Sequence, residues 1–445
     1  MGGRPLGVIV AASCVLAATA HAQAITGDDL ARKNDGGYVT GLPLFSYSTD
    51  LGYGFGARAY YYWNGHRGDS RFSTTPYLYR VFLQAFVSTR GTQFHWLDFD
   101  APKIFDSPYR VRSQIIYQRD TSQNYFGVGS RTLQPLAFPG SPKTFSTFSD
   151  YSAAEDQVTN GTTWSRYDEY DLTRPIAIAS VERLFDHDHV RVLGGLGFSY
   201  ASINDYSGKQ VDAIAANGTS TTATEGTTRL EADCAAGAIV GCQGGRDDYV
   251  RVAASYDTRD FEPDPNTGVF IDAEVDAATV ALASQYDYIR ALFAARGFYS
   301  PIPDKADLVL AGRFTFVGQT NGAPFFSMDT FPYTDNPIAG LGGGRTLRGY
   351  RQDRFVGSLM TVTNGEVRWT FAHACFWRQK FAFIIVPFID IGRPFDNFGQ
   401  LTFADWKPSY GGAFRVSWNL ATIASVDYGV SPEDTGLYIN FNHIF

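Results

Sequence analysis

Stretches in the second half of this chain alternate apolar and polar residues one by one. From Ser409 to Leu420 one face reads Tyr410, Gly412, Phe414, Val416, Trp418 and Leu420. The other reads Ser409, Gly411, Ala413, Arg415, Ser417 and Asn419. From Val269 to Ala277, a row of Val269, Ile271, Ala273, Val275 and Ala277 opposes Phe270, Asp272, Glu274 and Asp276. The chain end splits into Leu437, Ile439, Phe441, His443 and Phe445 against Tyr438, Asn440, Asn442 and Ile444. A period of two is that of a β-strand, whose side chains point to opposite faces in turn. Segments of about 10 residues with one apolar and one polar row suit a lipid-embedded barrel with a wet lumen. They also suit a soluble sandwich, so alternation alone leaves both open.

Spacing separates the two. Sixteen strand candidates lie between residues 42 and 445, and an even count returns both termini to one side. The long connections, 119–165, 202–247, 318–357 and 392–407, each follow an odd-numbered candidate. Connections after even-numbered candidates are shorter, such as Phe105 to Pro108 and Phe185 to His189. Long loops on one face and short turns on the other are the pattern of an outer-membrane barrel. The expected fold is all-β, a transmembrane antiparallel barrel of sixteen strands.

The N-terminus fits that compartment. Arg4 is the only charge before Asp28, an apolar stretch runs from Leu6 to Ala20, and Ala20, His21 and Ala22 give an A-x-A cleavage pattern. Residues 1–22 therefore read as a secretory signal peptide. Cleavage at Cys14 would halve the apolar core, which disfavours a lipoprotein. Residues 23–41 form a short periplasmic tail, and 42–445 the barrel. Beyond the leader the longest apolar run is Phe381 to Ile389, far below the ~18 residues of a spanning helix. Only a closed barrel could then cross lipid. The net charge of −8 argues against nucleic acid or anionic lipid as a partner. Cys234 and Cys242, eight residues apart in a polar stretch, suit a local disulfide in an oxidising compartment. No histidine lies near them, which disfavours a metal site. Cys375 is left over as a free thiol.

One stretch carries chemistry. Residues 339–357 read AGLGGGRTLRGYRQDRFVG, and two strand-like segments follow with Glu366 and Arg368, then Phe388, Asp390 and Gly392. Alternation puts Glu366 and Asp390 on the lumen side of their strands. A guanidinium fork can bond two carboxylates in fixed geometry. Gly349 permits a tight turn behind Arg348, and Tyr350 can pack its ring while its hydroxyl finds a partner.

GGGRTLRGY resembles the loop-six motif of the BamA/TamA family of outer-membrane barrels, also called bacterial surface antigens. In that family an R-G-F/Y tip folds from outside into the lumen, and its arginine meets acidic residues on the next two strands. The matching positions are Arg348, Gly349 and Tyr350 for the tip, Glu366 on strand twelve and Asp390 on strand thirteen. Asn124 to Gly129 (NYFGVG), Tyr256 to Asp260 (YDTRD) with Pro265 and Gly268, and a final strand ending at Phe445 also fit. The resemblance covers 42–445. It implies a bacterial outer-membrane location, outer-membrane lipid as surroundings, and assistance to outer-membrane protein or lipid assembly or translocation. Unfolded barrel clients are the implied partners. The device would be a seam between the first and last strands, weak because the first candidate, Pro43 to Ser48, is short. The last strand resembles a C-terminal sorting signal, with Phe441 and Phe445 on the lipid face.

The best-known members carry periplasmic POTRA domains before the barrel. Residues 23–41 are too few to fold as one, so a periplasmic partner would have to supply that receptor role. The alternative is a passive pore or scaffold that keeps the fold without insertase activity. Asp272, Glu274, Asp276, Arg290, Arg296, Arg313 and Arg415 would line it. An enzyme would need a grouped Ser–His pair. His443 faces lipid by alternation, and His187 and His189 lie in a turn. No catalytic group, metal or cofactor is expected.

Overall fold

The computed structural model describes residues 34–445 except 70–71, 73–74, 76, 187–188, 262–263, 304, 335–336, 377–378, 419–421 and 442. The expected leader, most of the tail and His187 lie outside the described residues. The wall begins with β1 (Gly37–Ser48), β2 (Gly52–Trp63), β3 (Tyr79–Ser88), β4 (Gln93–Ala101) and β5 (Tyr109–Asn124). It continues with β6 (Glu169–Phe185), β7 (Val190–Asn204), β8 (Tyr249–Asp257), β9 (Gly268–Ala278), β10 (Tyr288–Tyr299) and β11 (Asp307–Gln319). It ends with β12 (Leu359–Phe376), β13 (Gln379–Phe395), β14 (Lys407–Trp418), β15 (Thr422–Val430) and β16 (Thr435–Phe441). Each strand pairs antiparallel with the next, and β1 meets β16 to close the barrel.

The alternation is inside-out with respect to a soluble protein. On β9 the charged row is buried, with Asp272, Glu274 and Asp276 at or below 2% exposure, while Ile271 and Val275 face outward. On β14, Tyr410, Phe414 and Trp418 are exposed and Arg415 is fully buried. A sandwich in water would turn its charges outward, because exposed apolar area costs about 25 cal/mol per Å2. Lipid is the solvent that fits such a wall. The buried charges are paired: Arg251 lies 2.8 Å from Asp276 and 2.9 Å from Glu274, and Arg290 lies 2.7 Å from Asp276. Unpaired, each would be costly in a space shielded from water.

The long connections 125–168, 205–248 and 320–358 gather at one end of the barrel. Tyr125, Leu172, Leu230, Phe325, Phe326 and Val356 form one buried cluster across them. Arg131 joins two of the loops through Asp233 at 2.7 Å, and Cys234 and Cys242 are disulfide-bonded with Cα atoms 5.9 Å apart. Cys375 is exposed with a free thiol.

Two expectations about the chain ends need correction. The first strand is not short: β1 starts at Gly37, so the expected tail over 23–41 already enters the wall. All twelve residues of β1 pair with β2, which holds it extended despite Gly41 and Pro43. The seam is nonetheless short. Among the described residues β1 and β16 share two residue pairs, Tyr47 with Ile439 and Ser48 with Tyr438. The last strand stops at Phe441 and the chain turns into the lumen. His443, expected in lipid, is buried, with Nδ1 2.5 Å from Arg415 and Nε2 2.8 Å from Asp264. Arg313 donates to the Ile444 carbonyl and Arg368 to a main-chain oxygen of Phe445. The Phe445 ring sits 5.1 Å from the Arg313 guanidinium, so it does not face lipid. Phe441 is half-buried, with Arg58 5.5 Å from its ring centre. Charge-assisted bonds to three lumen arginines replace the ladder that β1 would have supplied.

Candidate functional site

The connection between β11 and β12 passes down into the barrel as loop six. Its glycines are demanded by close packing. Gly342 has φ +119°, and a β-carbon there would lie 1.9 Å from the Arg351 carbonyl oxygen. Gly349 has φ +104°, and a β-carbon would lie 2.8 Å from backbone atoms of Val430 on β15. Only glycine accepts such conformations and approaches at little cost. Thr346 Oγ1 accepts from the Gly342 N–H at 2.9 Å and knits the turn. Leu341, Leu347, Tyr350 and Phe355 then pack against Leu292, Val317, Met360 and Val362 of the wall.

This turn aims Arg348 at the wall, and its side chain has no exposure. Nε and Nη2 donate to the two Asp390 oxygens, each at 2.8 Å. Nη1 donates to Glu366 at 2.9 Å and to Asp427 on β15 at 3.0 Å. The guanidinium carbon lies 3.3 Å from the centre of the Phe388 ring, a cation–π contact shielded from water. Arg415 lies 2.7 Å from Glu366 and 3.3 Å from Asp427, and Arg368 lies 2.9 Å from Glu366. Asn364 donates to Asp390 at 2.8 Å and to the Thr346 carbonyl at 2.7 Å. Three guanidiniums thus stand among three carboxylates, which offsets the cost of burying each charge.

Loop six also reaches both sides of the seam. Arg351 donates to the Thr49 carbonyl after β1 at 2.8 Å and pairs with Asp434 before β16 at 2.9 Å. The Gln352 N–H donates to Asp50 at 3.1 Å, and Arg354 pairs with Glu433 at 2.6 Å. The Gly349 N–H donates to the Tyr438 hydroxyl at 3.3 Å.

The sequence matches the model of the Omp85 superfamily domain over residues 79–442, most of the chain. The chain belongs to the Omp85 superfamily. Residues 19–78 match a domain of unknown function (DUF5982). No curated protein matches the chain. Among solved structures, the Omp85 barrel is similar to BamA from Haemophilus ducreyi lacking POTRA domains 1–3, at 10% identity and a TM-score of 0.51. The match covers 92% of this chain and 70% of that one. It is also similar to CdiB from Escherichia coli, at 8% identity and a TM-score of 0.50. That match covers 91% of this chain and 62% of the other. These likenesses concern the fold.

Sequence reasoning missed part of this cluster. Arg348, Gly349, Tyr350, Glu366 and Asp390 come together in the lumen. Asp427, Arg415, Asn364 and the glycine on which the tip rests, Gly429, were not assigned to it. Alternation already turned Arg415 inward, and the same parity applied to β15 would have turned Asp427 inward. Among the described residues no group of three or more His, Cys, Asp or Glu is arranged to hold a metal.

Proposed function

We propose that this Omp85 barrel assists insertion or translocation of polypeptide or lipid at the bacterial outer membrane, acting through the β1–β16 seam. The observation that carries the reading is the seam itself. A wall that is otherwise paired over most of each strand is joined there, among the described residues, by two residue pairs. The lower part of β1 presents backbone groups to any incoming strand, the situation in which β-augmentation occurs. Loop six holds turns on both flanks of the seam, so a shift of the loop would loosen it. BamA and CdiB share the fold and supply the precedent of name alone. A periplasmic partner would deliver unfolded barrel clients.

A passive pore is less well supported, because loop six and the chain end place paired charges and apolar side chains in the lumen. Purified protein reconstituted in liposomes tests the choice. The expected result is faster folding of an unfolded client barrel with little ion conductance. Ion conductance with no effect on client folding would favour the passive pore.

A further inference from the structure

The connection between β13 and β14, residues 396–406, does not stand up from the barrel rim. It folds back over the outside of the wall. Phe316 on β11, Thr361 on β12 and Arg393 on β13 form one cross-strand row. Parity places this row outward, in line with exposed Phe314, Trp369 and Ile389. Yet Thr361 and Arg393 are buried, at 6% and 7% exposure. The loop lies over this row at its Phe316 and Arg393 ends. Phe398 packs its ring 5.9 Å from Phe316, and Arg393 donates to the Ala404 carbonyl.

The loop is held in this posture. Asp396 accepts from the Ser130 N–H at 2.8 Å. Asn397 accepts from the Gly399 N–H at 3.0 Å. Trp406 donates to the Thr402 carbonyl at 2.9 Å and packs its ring 6.3 Å from that of Phe395. With its polar groups tied inward, it turns large apolar side chains away from the protein. Phe398, Leu401 and Phe403 are 66%, 52% and 98% exposed. No charge interrupts residues 397–404, and Asp396 and Asp405 bracket them.

We propose that this loop is a membrane anchor, with Phe398, Leu401 and Phe403 inserted among the acyl chains of the leaflet at the long-loop end. Continuity decides the occupant. The loop lies on the same outward row that lipid covers lower down, and Phe398 extends the apolar surface of Phe314 and Phe316 without a break. Aromatic side chains favour this zone, where the apolar core gives way to headgroups. In water the same patch would be a standing liability. The anchor would fix the depth and tilt of the β11–β13 side of the barrel, opposite in role to the seam.

The test uses the full chain with Cys375→Ser and a single label at Phe403→Cys, reconstituted in phosphatidylcholine vesicles. A polarity-sensitive fluorophore at 403 is compared with one at Asn217→Cys, an exposed position in another long loop. With a nitroxide on the lipid acyl chain, emission at 403 should be at least halved and emission at 217 unchanged. Leu401→Cys gives a second site should the first variant fold poorly, checked by heat-dependent gel mobility. Quenching at both 401 and 403 by aqueous iodide but not by the lipid nitroxide would overturn the proposal. So would protection from both quenchers that varies with protein-to-lipid ratio, which would mark a contact between copies.

Discussion

Arg348→Ala should unseat loop six and reduce the yield of folded barrel. The side chain makes four charge-assisted bonds to Asp390, Glu366 and Asp427. Removing it leaves three buried carboxylates to two arginines, and Asp390 keeps only the Asn364 amide among the named side chains. Breaking a buried ion pair from one side costs about 3–5 kcal/mol, because the remaining charge is stranded. Water can enter the vacated space and recover part of that. The check is heat-dependent gel mobility together with the unfolding midpoint in detergent. A lower midpoint and a larger unfolded fraction are expected, with Arg348→Lys intermediate because an ammonium lacks the fork. Adding Asp390→Asn to Arg348→Ala should recover part of the loss, since the stranded charge is then gone. Wild-type behaviour of the alanine variant would remove the clamp from the account.

Gly429→Val should have an effect of similar size by a steric route. A β-carbon at Gly429 would stand 2.5 Å from the carbonyl carbon of Arg348 and 2.6 Å from its oxygen. These are backbone atoms of the loop tip, so no flexible side chain can yield. Gly429 is paired with Gly411 across the sheet, and together they leave a hollow in the wall for Gly349. Valine fills it and pushes the tip into the lumen, which pulls Arg348 off its carboxylates. The expected readout is new protease cleavage within 339–357 and a lower unfolding midpoint. Gly412→Val is the control, because a β-carbon there meets nothing within 4 Å and points outward. Equal tolerance of both valines would contradict the close packing of tip on wall.

The wall was legible because its polarity is local. Each strand separates lipid from lumen by a period of two, and β9 and β14 show it residue by residue. Loop sorting added the direction of travel. The chain ends were not legible, because distant residues decide them. His443, Ile444 and Phe445 alternate like a strand, but Arg313, Arg368 and Arg415 from three other strands draw them inward. Gly37 to Gly41 hold the β-formers Tyr38, Val39 and Thr40, but the flanking glycines break that signal, and β2 supplies the full ladder that extends them. Within the site, parity shows that Glu366 and Asp390 point inward. Which guanidinium each one meets is set by barrel curvature and by the glycine hollow, and neither is written in any single segment. The fold of 396–406 back over the outward-facing Arg393 was equally hidden, since the apolar loop reads as an ordinary exposed turn.

A seam that must part for the barrel to work can be held shut by a reversible lock. Tyr47 and Ile439 are opposed across the seam. Partners in an antiparallel pair have Cα atoms about 4.5–5.5 Å apart, within disulfide range. Tyr47→Cys and Ile439→Cys, in a Cys375→Ser background, would be oxidised and assayed for client folding in liposomes. The wild type with and without reductant controls for Cys234 and Cys242. The oxidised variant should lose acceleration of client folding and regain it on reduction. Full activity with the seam locked would contradict it.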